Sequence, residues 1–304
     1  MKKIAVIGAG TMGNGIAHVF AQKGFLVHLI DTQQEALDKA IATIHKNLDR
    51  QINKGSINAT DKLNTLQNIT LFTSIEAGMQ AVDLAVEAAT ENSVIKKSIF
   101  QKMDEAAKPA CILATNTSSI PIAQLAAVTN RPGKVIGMHF MNPVPVMKLV
   151  EIINGEATDE STTNAIVALT NQIDKIPCVV KDAPGFIANR ILMPMINEAI
   201  YAFSEGISDA STIDQIMKLG MAHPMGPLQL ADYIGLDVCK NILDIMYEGF
   251  KNEKYAPCPL LVKMVQEGKL GIKSGAGFYQ YQYPIPIGQS IFSGYLERLS
   301  RAAI

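Results

Sequence analysis

The sequence predicts an α/β protein: an open, mostly parallel sheet domain with an inserted helical hairpin, followed by an all-helical C-terminal domain. Three observations predict it. Up to about residue 150, short runs rich in β-branched residues alternate with helical patterns. A glycine-rich hexapeptide stands between the first of those runs and the first helix. Beyond Pro184-Gly185 the strand-like runs largely stop, and helical segments separated by breakers remain.

The first strand-like run, residues 4–7, leads into Gly8-Ala9-Gly10-Thr11-Met12-Gly13, a complete G-x-G-x-x-G. A lone match of this kind is weak, so its context decides. Met12, Ile16 and Phe20 then share one helical face, Gly24 closes the helix, and a second strand over residues 25–30 ends at Asp31. Gly8 permits a tight turn, Gly10 lets a ligand approach the backbone, and Gly13 lets helix pack close to strand. A diphosphate at the helix N-terminus, beside Thr11 and Met12, meets free N–H groups and the positive end of the dipole. Asp31, about 20 residues on, is placed to hydrogen-bond the ribose hydroxyls, and its carboxylate would repel a 2′-phosphate. The reading is a Rossmann-like unit that takes NAD rather than NADP; the alternative is a purely structural glycine turn.

Residues 33–65 break the rhythm. They are polar and helix-prone, with a turn signal at Lys54-Gly55-Ser56, which predicts a helical hairpin leaving the sheet. Strand-like runs resume at residues 84–88, 112–115 and 135–138. Glu91 and Lys96 lie just after the first of these, where such a fold meets its ligand, so both are candidate cofactor contacts. Charges at a helix start are equally read as solvated capping groups. The polar run Asn116-Thr117-Ser118-Ser119 follows the next strand; a hydroxyl there suits a substrate oxygen, or else caps a helix before Pro121.

Oxidation of an alcohol needs a base for the hydroxyl proton, and the chain has five histidines. His18 falls in the first helix and His28 in the second strand, which are structural positions, while His45 lies in the polar excursion and His223 in a turn between helices. His139 follows the strand at 135–138 and opens His139-Phe140-Met141-Asn142-Pro143-Val144-Pro145. A second strand-like run at 148–153 carries Glu151. An antiparallel hairpin centred on Pro145 sets His139 directly opposite Glu151 on one face. A carboxylate against an imidazole fixes its tautomer and stabilises the imidazolium formed on proton uptake. The alternative is a surface His–Glu pair.

Segments 186–204, 211–219, 227–249 and 258–267 read as the helices of the second domain. The proposed division is 1–184, 185–282 and an unassigned tail, 283–304. In the tail Ile291, Tyr295 and Leu299 suit one face of a short amphipathic helix. A net charge of −1 and 18% charged residues offer no field for nucleic acid or an anionic membrane. The four cysteines show no metal-ligand or disulfide spacing, so no metal is expected. No run is long enough for a signal-peptide core or a membrane span, and the expected location is the cytoplasm.

Together these runs resemble the L-3-hydroxyacyl-CoA dehydrogenase family, and in particular its stand-alone 3-hydroxybutyryl-CoA members. The resemblance rests on the glycine motif, on Asn116-Thr117-Ser118-Ser119, and on the segment from Gly137 through His139 to Glu151. It extends through Asp182-Ala183-Pro184-Gly185-Phe186-Ile187-Ala188-Asn189-Arg190, His223-Pro224-Met225-Gly226-Pro227, Asp232-Tyr233-Ile234-Gly235-Leu236-Asp237 and Gly275-Ala276-Gly277-Phe278-Tyr279. It implies reversible oxidation of a (3S)-3-hydroxyacyl-CoA to the 3-ketoacyl-CoA. His139 is then the base and Glu151 its orienting partner, with Ser118 and Asn189 on the substrate oxygen. The resemblance also implies cofactor contacts from Asp31, Glu91, Lys96, Asn116, Asn142 and Lys273. Asn47, Lys54 and Ser118 are the implied substrate contacts, Asn47 standing where relatives often have Ser. The helical domain is implied to form a homodimer. The 283–304 tail departs from the family pattern.

Two rivals stand beside this reading. A β-hydroxyacid dehydrogenase of another type shares the architecture but relies on a catalytic lysine. A non-catalytic, crystallin-like relative keeps the fold without needing the catalytic set.

Overall fold

The computed structural model describes residues 1–281. The chain divides into two compact units, Met1–Phe186 and a second beginning at Ile187.

In the first unit β1 (Lys3–Ile7), α1 (Thr11–Gln22) and β2 (Leu26–Ile30) form the opening βαβ. The inserted pair follows as α2 (Gln34–Asn53) and α3 (Ala59–Gln67), then β3 (Ile69–Phe72) and the single turn α4 (Ile75–Gly78). The second half runs β4 (Leu84–Glu87), α5 (Ser93–Ala106), β5 (Ile112–Thr115), α6 (Ile122–Ala126) and β6 (Val135–Phe140). It ends with β7 (Leu149–Asn154), α7 (Glu160–Gln172) and β8 (Ile176–Lys181).

The eight strands form one sheet in the order β3-β2-β1-β4-β5-β6-β7-β8. Every neighbouring pair is parallel except β6 and β7. Central strands buried on both faces need continuous apolar runs, as in Ile4-Ala5-Val6-Ile7. Their alternation divides two cores: Ile4 and Val6 pack with Ile16 and Phe20 of α1 and Leu169 of α7. Ala5 and Ile7 face the other way, among Phe100 and Met103 of α5 and Leu125 of α6. The order reverses between β1 and β4, and the carboxyl ends of those strands define the crevice where such sheets bind ligands.

The inserted hairpin holds itself to the sheet by one stripe, with Leu37, Ala40, Ile44 and Leu48 of α2 buried. Each of its large aliphatics contributes about 1.5–3 kcal/mol by burial. Gly55, at φ 70°, lets the chain turn after the Lys54 cap, and a reciprocal Asn58–Asp61 capping box starts α3.

The second unit contains α8 (Ala188–Ser204), α9 (Ala210–Gly220), α10 (Pro227–Ile234), α11 (Leu236–Phe250) and α12 (Pro259–Gln266). Its own core joins Met193, Ile196 and Ile200 to Leu228, Leu236, Leu243 and Leu261. The helix expected over 227–249 is two helices. Gly235 at φ 105° breaks it, a conformation that only glycine adopts readily. Two buried aspartates fasten the Gly-Phe-Tyr segment. Asp232 accepts from the Phe278 and Tyr279 N–H groups and from the Tyr281 hydroxyl (3.0, 2.9 and 2.9 Å). Asp214 accepts from the Tyr279 hydroxyl at 2.6 Å. The amphipathic pattern expected at Ile291, Tyr295 and Leu299 lies outside the described residues.

Candidate active site

The glycine turn joins the carboxyl end of β1 to α1. Gly8 takes φ 101°, and a Cβ there would lie 2.7 Å from the Ala88 carbonyl oxygen. A Cβ on Gly13 would lie 1.7 Å from the Gly8 carbonyl oxygen, so the start of α1 touches the turn backbone to backbone. Gly10 is different: a Cβ there meets nothing within 4 Å, so its backbone faces open space. Gly10 is also the N-cap of α1, supplies no side-chain acceptor, and is followed by a first turn without acidic residues. The leading N–H groups, around Thr11, Met12 and Gly13, thus meet no competing carboxylate.

Asp31 stands just past β2. Its Oδ2 accepts from the Ala9 N–H at 2.8 Å, and its Oδ1 from the Gln33 N–H at 3.0 Å. The carboxylate therefore closes the turn from the β2 side. An open glycine backbone, a helix N-terminus and a neighbouring carboxylate together fit a dinucleotide with a free ribose 2′-hydroxyl.

On the β4 side, Lys96 departs from its expected part. Its ammonium is turned inward, 2.7 and 2.9 Å from the two Glu87 oxygens, and the side chain is 1% exposed. Glu87, fully buried, also accepts from the Thr115 hydroxyl (2.8 Å) and the Ala89 N–H (2.7 Å). A buried carboxylate requires such a counter-charge, which is the physical reason the ammonium is held on Glu87 at the end of β4. Lys96 also lies 3.3 Å from Glu91. Glu91 Oε1 in turn gathers the Thr117 hydroxyl (2.5 Å), the Ser118 N–H (2.9 Å) and the Ser119 hydroxyl (2.8 Å). Burial raises the Glu91 pKa, but Lys96 and these three donors outweigh it, so the carboxyl is held below its usual range. Glu91 accordingly fixes the turn that carries Ser118.

The β6–β7 hairpin has the register that a turn centred on Pro145 dictates, with His139 paired to Glu151. His139 Nδ1 and Glu151 Oε2 are 2.7 Å apart, with the two side chains 10% and 3% exposed. With Nδ1–H donated to the carboxylate, the imidazole keeps its free lone pair on Nε2, the arrangement of a general base. The ring lies edge-on to Phe186, with centroids 5.8 Å apart. Asn116 supports the same strand end, accepting from the Phe140 N–H at 2.9 Å through Oδ1. Asn142 follows β6, exposed, before a cis peptide bond to Pro143.

Asn189 and Lys273 belong to the second unit, Asn189 buried in the first turn of α8 and Lys273 ion-paired with Asp237 at 2.5 Å. Asn47 and Lys54 lie on α2 and at its cap. Asn47 accepts from Arg50 at 3.4 Å, and Lys54 is exposed. Glu87 and Thr115, at the ends of β4 and β5, support the site through the hydrogen bond between them and carry no role in the sequence-based expectations. A charge closing an apolar strand was the available signal.

The sequence matches the family model described as 3-hydroxyacyl-CoA dehydrogenase, NAD binding domain, over residues 3–183, and the C-terminal domain of the same family over residues 185–281. A probable 3-hydroxybutyryl-CoA dehydrogenase from Bacillus subtilis is 49% identical over 282 residues, covering 93% of this chain and 98% of that one. The human mitochondrial hydroxyacyl-coenzyme A dehydrogenase is 40% identical, covering 93% and 92%. Among solved structures, (S)-3-hydroxybutyryl-CoA dehydrogenase from Ralstonia eutropha superposes with a TM-score of 0.91 at 46% identity, covering 93% of this chain and all of that one.

Proposed function

Because the chain belongs to the 3-hydroxyacyl-CoA dehydrogenase family, whose members oxidise 3-hydroxyacyl-CoA with NAD, we propose that its substrate is a short-chain (3S)-3-hydroxyacyl-CoA, 3-hydroxybutyryl-CoA above all. The product is the 3-ketoacyl-CoA, and the reaction is reversible. The observation that carries the catalytic assignment is the buried His139–Glu151 pair at 2.7 Å, on the hairpin beyond β5.

NAD, when bound at the glycine turn and Asp31, supplies the acceptor for the hydride from C3. The chain's own residues manage the proton. His139 Nε2 takes the hydroxyl proton during oxidation and returns it during reduction. Glu151 holds the ring by Nδ1 and stabilises the imidazolium while it carries that proton. Ser118, on the turn that Glu91 fixes, and Asn189 hold the substrate oxygen. Glu91, Asn116, Asn142 and Lys273 serve the cofactor, with Lys96 acting through Glu91. Asn47 and Lys54 serve the CoA end, where the lysine supplies positive charge for a phosphate.

A homodimer through the second unit belongs to the same proposal, supported by the exposed apolar side chains Ile191, Ile207, Leu219 and Met221. A cytoplasmic location is likewise proposed. Among the described residues no helix is long and apolar enough to cross a membrane.

The test is NADH-linked reduction of acetoacetyl-CoA and of longer 3-ketoacyl-CoA thioesters. Turnover that is highest with acetoacetyl-CoA and lost in His139→Gln is the expected result. Near-full turnover in that variant overturns the catalytic assignment and favours lysine-dependent chemistry. No turnover with any of these thioesters revives the non-catalytic reading.

A further inference from the structure

A buried lysine lies close to the catalytic hairpin, and the reaction just described does not use it. Lys175 precedes β8 and is 7% exposed. Its main chain is fixed on both sides, its own N–H donating to the Thr170 carbonyl (3.1 Å) and that of Ile176 to the Lys148 carbonyl (2.8 Å). The side chain reaches back over the end of β7. There its ammonium donates to the carbonyl oxygens of Val144 and Met147, both at 2.6 Å.

Those two carbonyls belong to residues 141–148, the connection between the strand with His139 and the strand with Glu151. Among the described residues no carboxylate is ion-paired with the ammonium; Asp174, the adjacent acid, is paired with Lys23. A buried charge kept for packing alone would be replaced at lower cost by an apolar side chain of similar volume. What the lysine supplies is donors aimed at two carbonyls that an apolar residue leaves unpaired. Burial pushes its pKa down to about 8, with Asp174 opposing that shift and Lys23 adding to it.

The same connection is keyed from its other side. Val144 fits against Gly15 of α1, where a Cβ would lie 2.8 Å from the Val144 Cβ. The connection is thus held between the helix that starts at the dinucleotide turn and a lysine from the sheet edge. The last hairpin pairs before it are Phe140–Val150 and His139–Glu151. A shift of the connection reaches Phe140–Val150 first and His139–Glu151 directly after it.

We infer that Lys175 is a positioning residue: its two hydrogen bonds to the Val144 and Met147 carbonyls fix the 141–148 connection and thereby the His139–Glu151 alignment. The inference rests on the proposed catalytic role of that pair.

The experiment is a double-mutant cycle between Lys175→Met and Glu151→Gln, read by acetoacetyl-CoA reduction. Alone, K175M lowers kcat about ten- to a hundredfold, with KM for NADH within about twofold, a part of the range for positioned acid–base catalysis. In the E151Q background the same change costs less than about threefold, because the alignment it supports has already lost its charge partner. The low-field proton signal of an imidazole N–H bonded to a carboxylate, sharp in the wild type, broadens in K175M. Equal losses in both backgrounds, or a lower melting temperature with unchanged kcat, overturn the inference and leave a plain structural role. Lys175→Gln, which keeps two N–H donors without the charge, covers failure of K175M to fold. It should retain more turnover than any variant lacking donors, and a wild-type kcat with an unperturbed proton signal in a folded K175Q whose carbonyl contacts are lost also overturns it. Wild-type turnover in the same assay separates failure of this inference from failure of the catalytic reading.

Discussion

Replacing Glu151 by Gln removes the charge opposite His139 while keeping the volume and an oxygen that accepts from Nδ1–H. The change therefore isolates electrostatics from orientation. The nitrogen and oxygen are 2.7 Å apart, and both side chains are almost wholly buried. Taking the charge centres of imidazolium and carboxylate as about 4 Å apart, at an effective dielectric constant of about 20, their attraction is about 4 kcal/mol. That attraction exists only while the imidazole carries the substrate proton, so its loss falls on the transition state. Each 1.36 kcal/mol is a factor of ten, which makes the expected loss in kcat about a thousandfold. The assay is the initial rate of NADH consumption at saturating acetoacetyl-CoA, with circular dichroism and thermal melting to establish that E151Q is folded. KM for NADH should be nearly unchanged, because Glu151 is not among the proposed cofactor contacts. A folded E151Q with kcat within about tenfold of wild type would refute the reasoning, since it would mean that little imidazolium charge develops against Glu151.

Gly13→Ala places a methyl 1.7 Å from the Gly8 carbonyl oxygen, and the backbone must move to admit it. It should cost at least about 3 kcal/mol in denaturant titrations and raise the NADH dissociation constant at least tenfold. Lys96→Met leaves the fully buried Glu87 without its counter-charge and should destabilise the first unit by about 3–5 kcal/mol. An unchanged melting temperature would show that Glu87 finds another partner. His18 is depressed from 6.5 to about 4, chiefly by burial, with a hydrogen bond to Gln22 opposing and the Lys175 charge adding. Between these values the unfolded chain binds a proton that the folded chain does not, so stability falls as pH drops through that window. The loss reaches about 3 kcal/mol below it and is absent above pH 6.5. His18→Gln should flatten that part of the stability–pH curve relative to wild type, as urea midpoints will show.

Much of this protein is legible in short stretches of sequence. Gly8-Ala9-Gly10-Thr11-Met12-Gly13 identifies its turn because left-handed backbone and close packing leave glycine little competition. The His139–Glu151 pairing follows from the centre of one hairpin, since the strand period of two determines which side chains share a face. The hairpin of α2 and α3 is visible in its apolar stripe, with Gly55 as its punctuation.

The parts that escaped the sequence are those decided by distant partners. Strands β3 and β8 lie at the two edges of the sheet and contain no fully buried residue, so neither needs the apolar run that announces a central strand. The break at Gly235 passes for a tolerated helical glycine until its φ is known. Lys96 reads as a surface or ligand-facing charge, and only packing α5 against β4 sets it on Glu87. Lys175 has no local pattern at all, because the carbonyls it serves lie about 30 residues earlier in the chain. The sequence by itself determined the fold class through alternating strand and helix patterns, and the glycine turn and the His139–Glu151 pairing through spacing within a single turn or hairpin. The tertiary structure alone decided which buried charges meet, because the energy of a desolvated ion depends on its neighbours in space and not on its neighbours in the chain.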